Sequence, residues 1–387
     1  MNDDGKRPPP RRWVGCSIEE EYFGHRRKDD KAHRKEISAK DRSKYKKTDK
    51  EKYTKSLEEE QQAKMGSDEF LEGRVVSIIP QGIVVAWQDQ QIVCTLRGLL
   101  KKEKTQHKNL VTVGDFVLFK KTGDEGIIVQ VKPRHSVLSR ADNLSRRKEQ
   151  LIAANIDQVL ITVSVVNPEL KPPLVDRYII ATQMGGMDPV IILNKIDMLD
   201  PTLHPEVDPI LLEQQKTLLE QFLEAYRIAG IPVIPLSAVT GEGIDRLREV
   251  MKGKASVFSG QSGVGKSSLI NVIAGLDLRV GETVEKTKKG SHTTSTAQLI
   301  PLSFGGWCID TPGIKSFGVW DLQKEEIEGY FDEIHSTGAE CKFPDCTHTH
   351  ETDCAVQNAV KEGLISPLRY ASYQALMESV SEQHRRR

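Results

Sequence analysis

The sequence of 387 residues contains no apolar run near the roughly 20 residues that cross a bilayer. Its N-terminus also lacks the apolar core of a secretory signal, so the expected setting is the cytoplasm, with no membrane partner. Aromatic residues are scarce at 6%, and 55 basic residues cancel 55 acidic ones, which excludes a uniformly basic nucleic-acid binder. Any contact with nucleic acid must then come from local patches. Cysteine is sparse too: of six, Cys16, Cys94 and Cys308 stand apart while Cys341, Cys346 and Cys354 cluster. That distribution looks less like a secreted disulfide framework than a metal site.

What is present is organised around Gly260-Gln261-Ser262-Gly263-Val264-Gly265-Lys266-Ser267-Ser268, which fits the phosphate-binding pattern G-x-x-x-x-G-K-[ST]. An apolar run, Ala255 to Phe258, precedes it and an apolar-periodic segment follows, which is the strand-loop-helix context the pattern requires. The glycines let backbone N–H groups and a helix N-terminus converge on phosphate. Lys266 is expected to reach the β- and γ-phosphates, and Ser267 to hold Mg²⁺.

Residues 1–66 carry 19 basic and 14 acidic residues with almost no apolar periodicity, and read as a disordered basic arm, either a solvated tail or an RNA-contacting segment. Residues 67–140 carry five short β-rich runs: Phe70 to Ile79, Ile83 to Trp87, Gln91 to Leu96, Phe116 to Lys120 and Gly126 to Val131. These predict a small closed barrel of the oligonucleotide-binding (OB) type. Lys101, Lys102, Lys104, His107 and Lys108 would form a basic loop at its rim, either solvated or contacting phosphate. Residues 141–318 alternate long apolar strands with helices, predicting an α/β domain with a mostly parallel sheet covered on both faces. Residues 319–387 read as a small helical module. The fold class is thus multidomain, with barrel, α/β nucleotide domain and metal-binding module in series.

Further motifs fall at the predicted strand ends. Asn194-Lys195-Ile196-Asp197 matches the N-K-x-D pattern of guanine recognition. Asp197 would accept two hydrogen bonds from guanine, whereas adenine offers no such pair. Lys195 would lie along the base, and Asn194 would tie this loop to the phosphate loop. Ser237-Ala238 resembles the segment whose backbone N–H faces guanine O6. Asp310-Thr311-Pro312-Gly313 matches D-x-x-G, with Asp310 holding Mg²⁺ through water and the Gly313 N–H sensing the γ-phosphate. In the loop Gly290 to Thr294, Thr294 is the first candidate to close on Mg²⁺ and the γ-phosphate, and Thr293 the second.

Two departures carry information. The motif order, N-K-I-D, S-A, phosphate loop, Thr, D-T-P-G, is that of a circularly permuted GTPase domain, a rearrangement a sheet tolerates by closing through another surface loop. Position 314 is Ile, where Ras-like enzymes place a water-orienting Gln. Intrinsic hydrolysis is then expected to be slow and to need a partner, with His292 as the nearest replacement or an ordinary loop residue. Near the C-terminus, Cys341-x4-Cys346-x-His348-x5-Cys354 supplies a Cys₃His set for one structural Zn²⁺, with His350 as the alternative imidazole. Ser366-Pro367 then starts a helix whose apolar stripe is Leu368, Tyr373, Leu376, Met377 and Val380.

With these residues in view, the stretch from about 68 to 354 resembles the RsgA (YjeQ) family of small-ribosomal-subunit-dependent GTPases. The resemblance implies binding of GTP or GDP with Mg²⁺ and GTP hydrolysis stimulated by the 30S ribosomal subunit. It further implies contact with 16S rRNA, late maturation of that subunit alongside other assembly factors, and a monomer. Residues 1–66 lie outside it. An RNA-binding checkpoint or scaffold, with GTP as a conformational ligand, is the alternative these motifs leave open.

Overall fold

From Leu71 onward, apolar residues fall on one face of successive strands, and the chain folds into β1 (Leu71–Ile79), β2 (Gly82–Trp87), β3 (Gln90–Leu96), β4 (Phe116–Thr122) and β5 (Glu125–Val131). The computed structural model describes residues 70–97, 110–142, 145–275, 297–310 and 323–385. The basic arm, the basic rim loop, the candidates His292, Thr293 and Thr294, and Gly313 with Ile314 lie outside the described residues. The five strands close as β1-β2-β3-β5-β4, with β1 pairing β4 and with β3 and β5 parallel. This is the expected OB-like barrel, sealed around Val75, Val85, Ile92, Cys94, Val117, Phe119 and Ile128. Closure leaves neither end strand unpaired, which removes the usual edge liability.

The barrel passes into a hairpin, β6 (Val137–Asp142) and β7 (Ser145–Ala154), that the sequence reading did not include. Its second strand begins Ser-Arg-Arg-Lys-Glu-Gln, which shows no alternation of apolar and polar residues. Next come β8 (Gln158–Ser164), α1 (Pro172–Met184), β9 (Asp188–Asn194), α2 (Pro209–Ile228), β10 (Val233–Pro235), α3 (Ile244–Met251), β11 (Ala255–Ser259), α4 (Lys266–Ala274), β12 (Gln298–Pro301) and β13 (Trp307–Asp310). The sheet order is β10-β9-β8-β11-β13-β12, parallel except for β12.

Strand alternation divides this sheet into two cores. Val159, Ile161, Ile191, Leu193 and Val257 face α1 and α2, packing with Val175, Ile179, Phe222 and Tyr226. Leu160, Val190, Ile192 and Phe258 face α3 and α4, packing with Leu247, Met251, Leu269 and Ile273. Both faces being covered explains why β8 is buried along its whole length. Helix α2 starts where Asp208 accepts from the Ile210 N–H at 2.8 Å, with Pro209 inside the first turn. Helices α1 and α3 were not foreseen. α1 opens on Pro172-Pro173 and is buried on two sides, Ile179 toward the sheet and Ile180 toward the C-terminal helices, so it shows no single apolar stripe.

The C-terminal helices are α5 (Lys324–Ile327), α6 (Asp332–Gly338), α7 (Ala355–Lys361) and α8 (Pro367–Arg385). Tyr373, Leu376, Met377 and Val380 of α8 pack with Ile327, Phe331, Ile334, Val356 and Ala359. Leu368 departs from that stripe and packs against the core around α1 and α2. No helix among the described residues is long and apolar enough to cross a membrane.

Candidate nucleotide site and metal cluster

Among the described residues, the phosphate loop, Asn194 to Asp197, Ser237-Ala238 and Asp310 stand at the carboxyl ends of the parallel strands, where open α/β sheets bind ligands. The phosphate loop leaves β11 at Ser259 and enters α4 at Lys266. Gly265 has a φ of +93°, and a Cβ there would run into the Asn194 side-chain amide, so the position requires glycine twice over. The Lys266 ammonium folds onto its own loop, donating to the carbonyls of Gly260 at 2.8 Å and Gln261 at 2.5 Å. Burial lowers the pKa of that ammonium. Ser267 is exposed and Ser268 half-buried at the helix start, while Val264 is buried. Four N–H groups at such a helix start lack intrahelical partners and favour an anion.

Asn194 ends β9 and is 1% exposed, with both ends of its amide engaged. Its Nδ2 donates to the Val264 carbonyl at 2.8 Å, and its Oδ1 accepts from the Ala238 N–H at 3.2 Å. One side chain therefore joins the three loops expected to surround the nucleotide. The Ala238 N–H, read from sequence as facing the base, here serves that junction. Ser237 is buried and its Oγ accepts from the N–H groups of Val239 and Thr240, both at 3.1 Å. Lys195 adopts a left-handed backbone with φ 66°, and its ammonium donates to the Asn167 carbonyl at 2.5 Å. Burial lowers its pKa, opposed by nearby Asp197. A single 3₁₀ turn, Ile196–Leu199, carries Asp197, which is 8% exposed and has one carboxylate oxygen, Oδ1, without a partner. Asp310 closes β13 beside β11.

In the C-terminal module the ligand atoms of Cys341, Cys346, His348 and Cys354 lie within 4.8 Å of one another. His348 Nδ1 is 3.5 Å from the Cys341 sulfur and 3.4 Å from that of Cys354, and the two sulfurs are 3.8 Å apart. Those separations match the edges of a tetrahedron with metal–sulfur bonds of about 2.3 Å and metal–nitrogen bonds of about 2.0 Å. The other ring nitrogen, Nε2, is buried and makes no hydrogen bond, with the nearest carboxylate oxygen, of Glu328, 3.5 Å away. Burial pushes the Cys346 thiol up to about 12, so a cation is needed to stabilise thiolate there. His350 is exposed and outside the cluster, so His348 is the imidazole the fold brings in. The hydroxyls of Tyr370 and Tyr373 on α8 donate to the carbonyls of His348 at 2.6 Å and Thr347 at 3.1 Å, fastening this loop.

A family model described as RsgA GTPase matches residues 131–320. A "Small ribosomal subunit biogenesis GTPase RsgA" from Bacteroides fragilis is 36% identical over 316 residues, covering 81% of this chain and 98% of the relative. One of that name from Chlorobaculum parvum is 40% identical over 289 residues, covering 72% of this chain and 88% of its own. The chain belongs to the RsgA GTPase family. The crystal structure of YjeQ from Thermotoga maritima aligns with TM-score 0.63 at 31% identity, covering 81% of this chain and 99% of that one. The structure of YloQ, described as a circularly permuted GTPase, also gives TM-score 0.63, at 26% identity, over 82% of this chain and 98% of that one.

An RsgA-type chain was legible in the motifs, but two groups of residues were not. Arg369 of α8 is 2% exposed and donates to buried Asp176 of α1 and, at 2.7 Å, to Glu333 of α6. Its guanidinium lies over the rings of Phe331 at 4.3 Å and Tyr226 at 5.3 Å, while the Tyr226 hydroxyl donates to Asp176 at 2.8 Å. Burial opposes the charge on Arg369, yet Asp176 and Glu333 together hold its pKa above the ordinary value. A lone Arg on an amphipathic helix gives no sequence signal for such burial. The second missed residue is His204, beside Asp197.

Proposed function

We propose that this protein is a GTP hydrolase acting in biogenesis of the small ribosomal subunit, with turnover stimulated by the 30S particle. The single observation that carries the nucleotide reading is the junction at Asn194, which binds the phosphate loop through Val264 and the Ser237-Ala238 loop through Ala238. A merely structural turn after β9 has no need to join those two loops. In this reading Lys266 and the helix start of α4 hold the phosphates, Ser267 and Thr294 hold Mg²⁺, and Asp310 acts through its water. Asp197 selects guanine, the Gly313 N–H senses the γ-phosphate, and His292 is the candidate for orienting the attacking water. The relatives' names place them in small-subunit biogenesis, and the barrel fits contact with 16S rRNA. The Cys₃His cluster would hold one Zn²⁺ with four protein ligands, leaving no open position for water, which is a structural rather than a catalytic role.

Steady-state hydrolysis of GTP and ATP, alone and with purified 30S or 50S subunits, tests this. Slow turnover of GTP alone, rising strongly with 30S only, is the expected result. Equal rates with 30S, with 50S and without either would remove the ribosomal part of the reading and leave a GTPase with another partner.

A further inference from the structure

The imidazole of His204 lies between two carboxylates. Its Nε2 is 3.1 Å from Asp197 Oδ2, and its Nδ1 is 2.9 Å from Glu206 Oε1. A carboxylate only accepts, so each contact requires a proton on the ring nitrogen, and both together require the imidazolium. Its backbone is fixed by a tight turn, in which the His204 N–H donates to the Asp200 carbonyl at 3.0 Å and the Val207 N–H to His204 at 3.2 Å. The second oxygen of Asp197, Oδ1, is buried with no partner.

We propose that His204 is a positioning residue for guanine recognition: bridged to Glu206, it holds Oδ2 of Asp197 so that both carboxylate oxygens face the base. This deepens, and rests on, the reading of Asp197 as base selector. Guanine presents two N–H groups side by side, and both are satisfied only if the carboxylate lies in the plane of the base. Torsion about the last bond of an aspartate is soft, so the plane must be set from outside. Each carboxylate oxygen has two lone pairs, so Oδ2 accepts from His204 on its outer side and from guanine on its inner side. A neutral imidazole would have one N–H and would release one of its two partners.

The charged groups around the ring are Asp197 on the 3₁₀ turn, Glu206 on the same loop, and Lys195, which is drawn to Asp197. Asp200, which begins the loop, is satisfied by Thr202 and drawn to Lys216 of α2. The hydrogen bond to Glu206 raises the pKa of His204; partial desolvation opposes it, and the bond to Asp197 adds to the rise. The bridge is therefore complete below the ordinary histidine value of 6.5 and is lost as pH rises through the raised one.

The test uses the full chain and fluorescently labelled GDP, IDP and ADP, titrated between about pH 6 and about pH 8.5, the range in which a histidine changes charge. IDP lacks the exocyclic amine and so offers Asp197 one N–H fewer. Wild type is expected to bind GDP more weakly as pH rises through the upper part of that range. His204→Ala is expected to weaken GDP about tenfold, the size of one charge-assisted hydrogen bond, to flatten the pH dependence, and to reduce the preference for GDP over IDP. His204→Gln keeps a donor to Asp197 and restores that preference without restoring the pH dependence. Glu206→Gln moves the midpoint to lower pH. Equal losses of GDP and IDP in His204→Ala, or unchanged affinities, overturn the proposal while leaving Asp197 as base selector. Wild type binding GDP and ADP alike overturns both.

Discussion

The guanidinium of Arg369, on the last helix, donates to the carboxylate of Asp176, on the first helix of the α/β sheet, and the two side chains are 2% and 0% exposed. The residues are 193 positions apart. The pair thus ties the C-terminal module to the helix that follows β8, with Glu333 and Tyr226 completing the arrangement. Removing one member of a buried pair leaves an uncompensated charge, whereas replacing both with apolar groups of similar volume is often neutral.

Arg369→Ala is therefore expected to lose about 3–5 kcal/mol of stability, read as a shift in the denaturant midpoint. The double change Arg369→Met with Asp176→Leu should recover only part of it, because Glu333 and the buried Tyr226 hydroxyl then lose the partners they have in wild type. A midpoint for Arg369→Ala within error of wild type would show that the pair contributes nothing.

Asn194→Ala removes one donor and one acceptor that join three loops. The buried Val264 carbonyl loses its partner at about 1–3 kcal/mol, and the half-buried Ala238 N–H loses its partner at a smaller cost. GDP affinity should fall by at least about tenfold for that reason, while the barrel and zinc content remain as in wild type. Calorimetric titration with GDP, paired with metal analysis of the same sample, makes the comparison.

Asp197→Asn exchanges an acceptor for an amide that can also donate. Guanine nucleotide should bind at least about a hundredfold more weakly, because its two N–H groups then face a donor. Xanthine nucleotide, with a carbonyl where guanine has its amine, should bind better than to wild type. Competition between labelled GDP and unlabelled XDP reads both effects. Unchanged GDP binding would mean that the base is recognised elsewhere.

Metal removal should act on the module alone at first. Four ligand atoms within 4.8 Å hold the loop between α6 and α7, and without a cation the buried thiols remain protonated. A strong chelator is expected to release about one Zn²⁺ per chain and to expose Cys341, Cys346 and Cys354 to thiol reagents. Adding Zn²⁺ back should protect them. Cys354→Ser should show the chelated behaviour from the start. Thiols equally reactive with and without Zn²⁺ would remove zinc from the site.

How much of this was legible follows from the range of each signal. The phosphate loop, N-K-I-D and the Cys₃His spacing are written within a few residues, because backbone turns and ligand geometry impose residue types at fixed offsets. The five barrel strands were equally legible, since each has one buried face and alternates accordingly. The hairpin of β6 and β7 and helix α1 were not, because one is rich in charge and the other is buried on two sides.

By itself the sequence determined the five strands of the barrel, the permuted order of the nucleotide motifs and the three clustered cysteines, all of which depend on local spacing. Only the tertiary structure decided that Arg369 meets Asp176, that Asn194 joins Val264 and Ala238, that His348 rather than His350 turns inward, and that His204 stands between Asp197 and Glu206. Such contacts depend on how distant or irregular segments pack, and a buried polar group is satisfied by whichever partner that packing brings within hydrogen-bond reach.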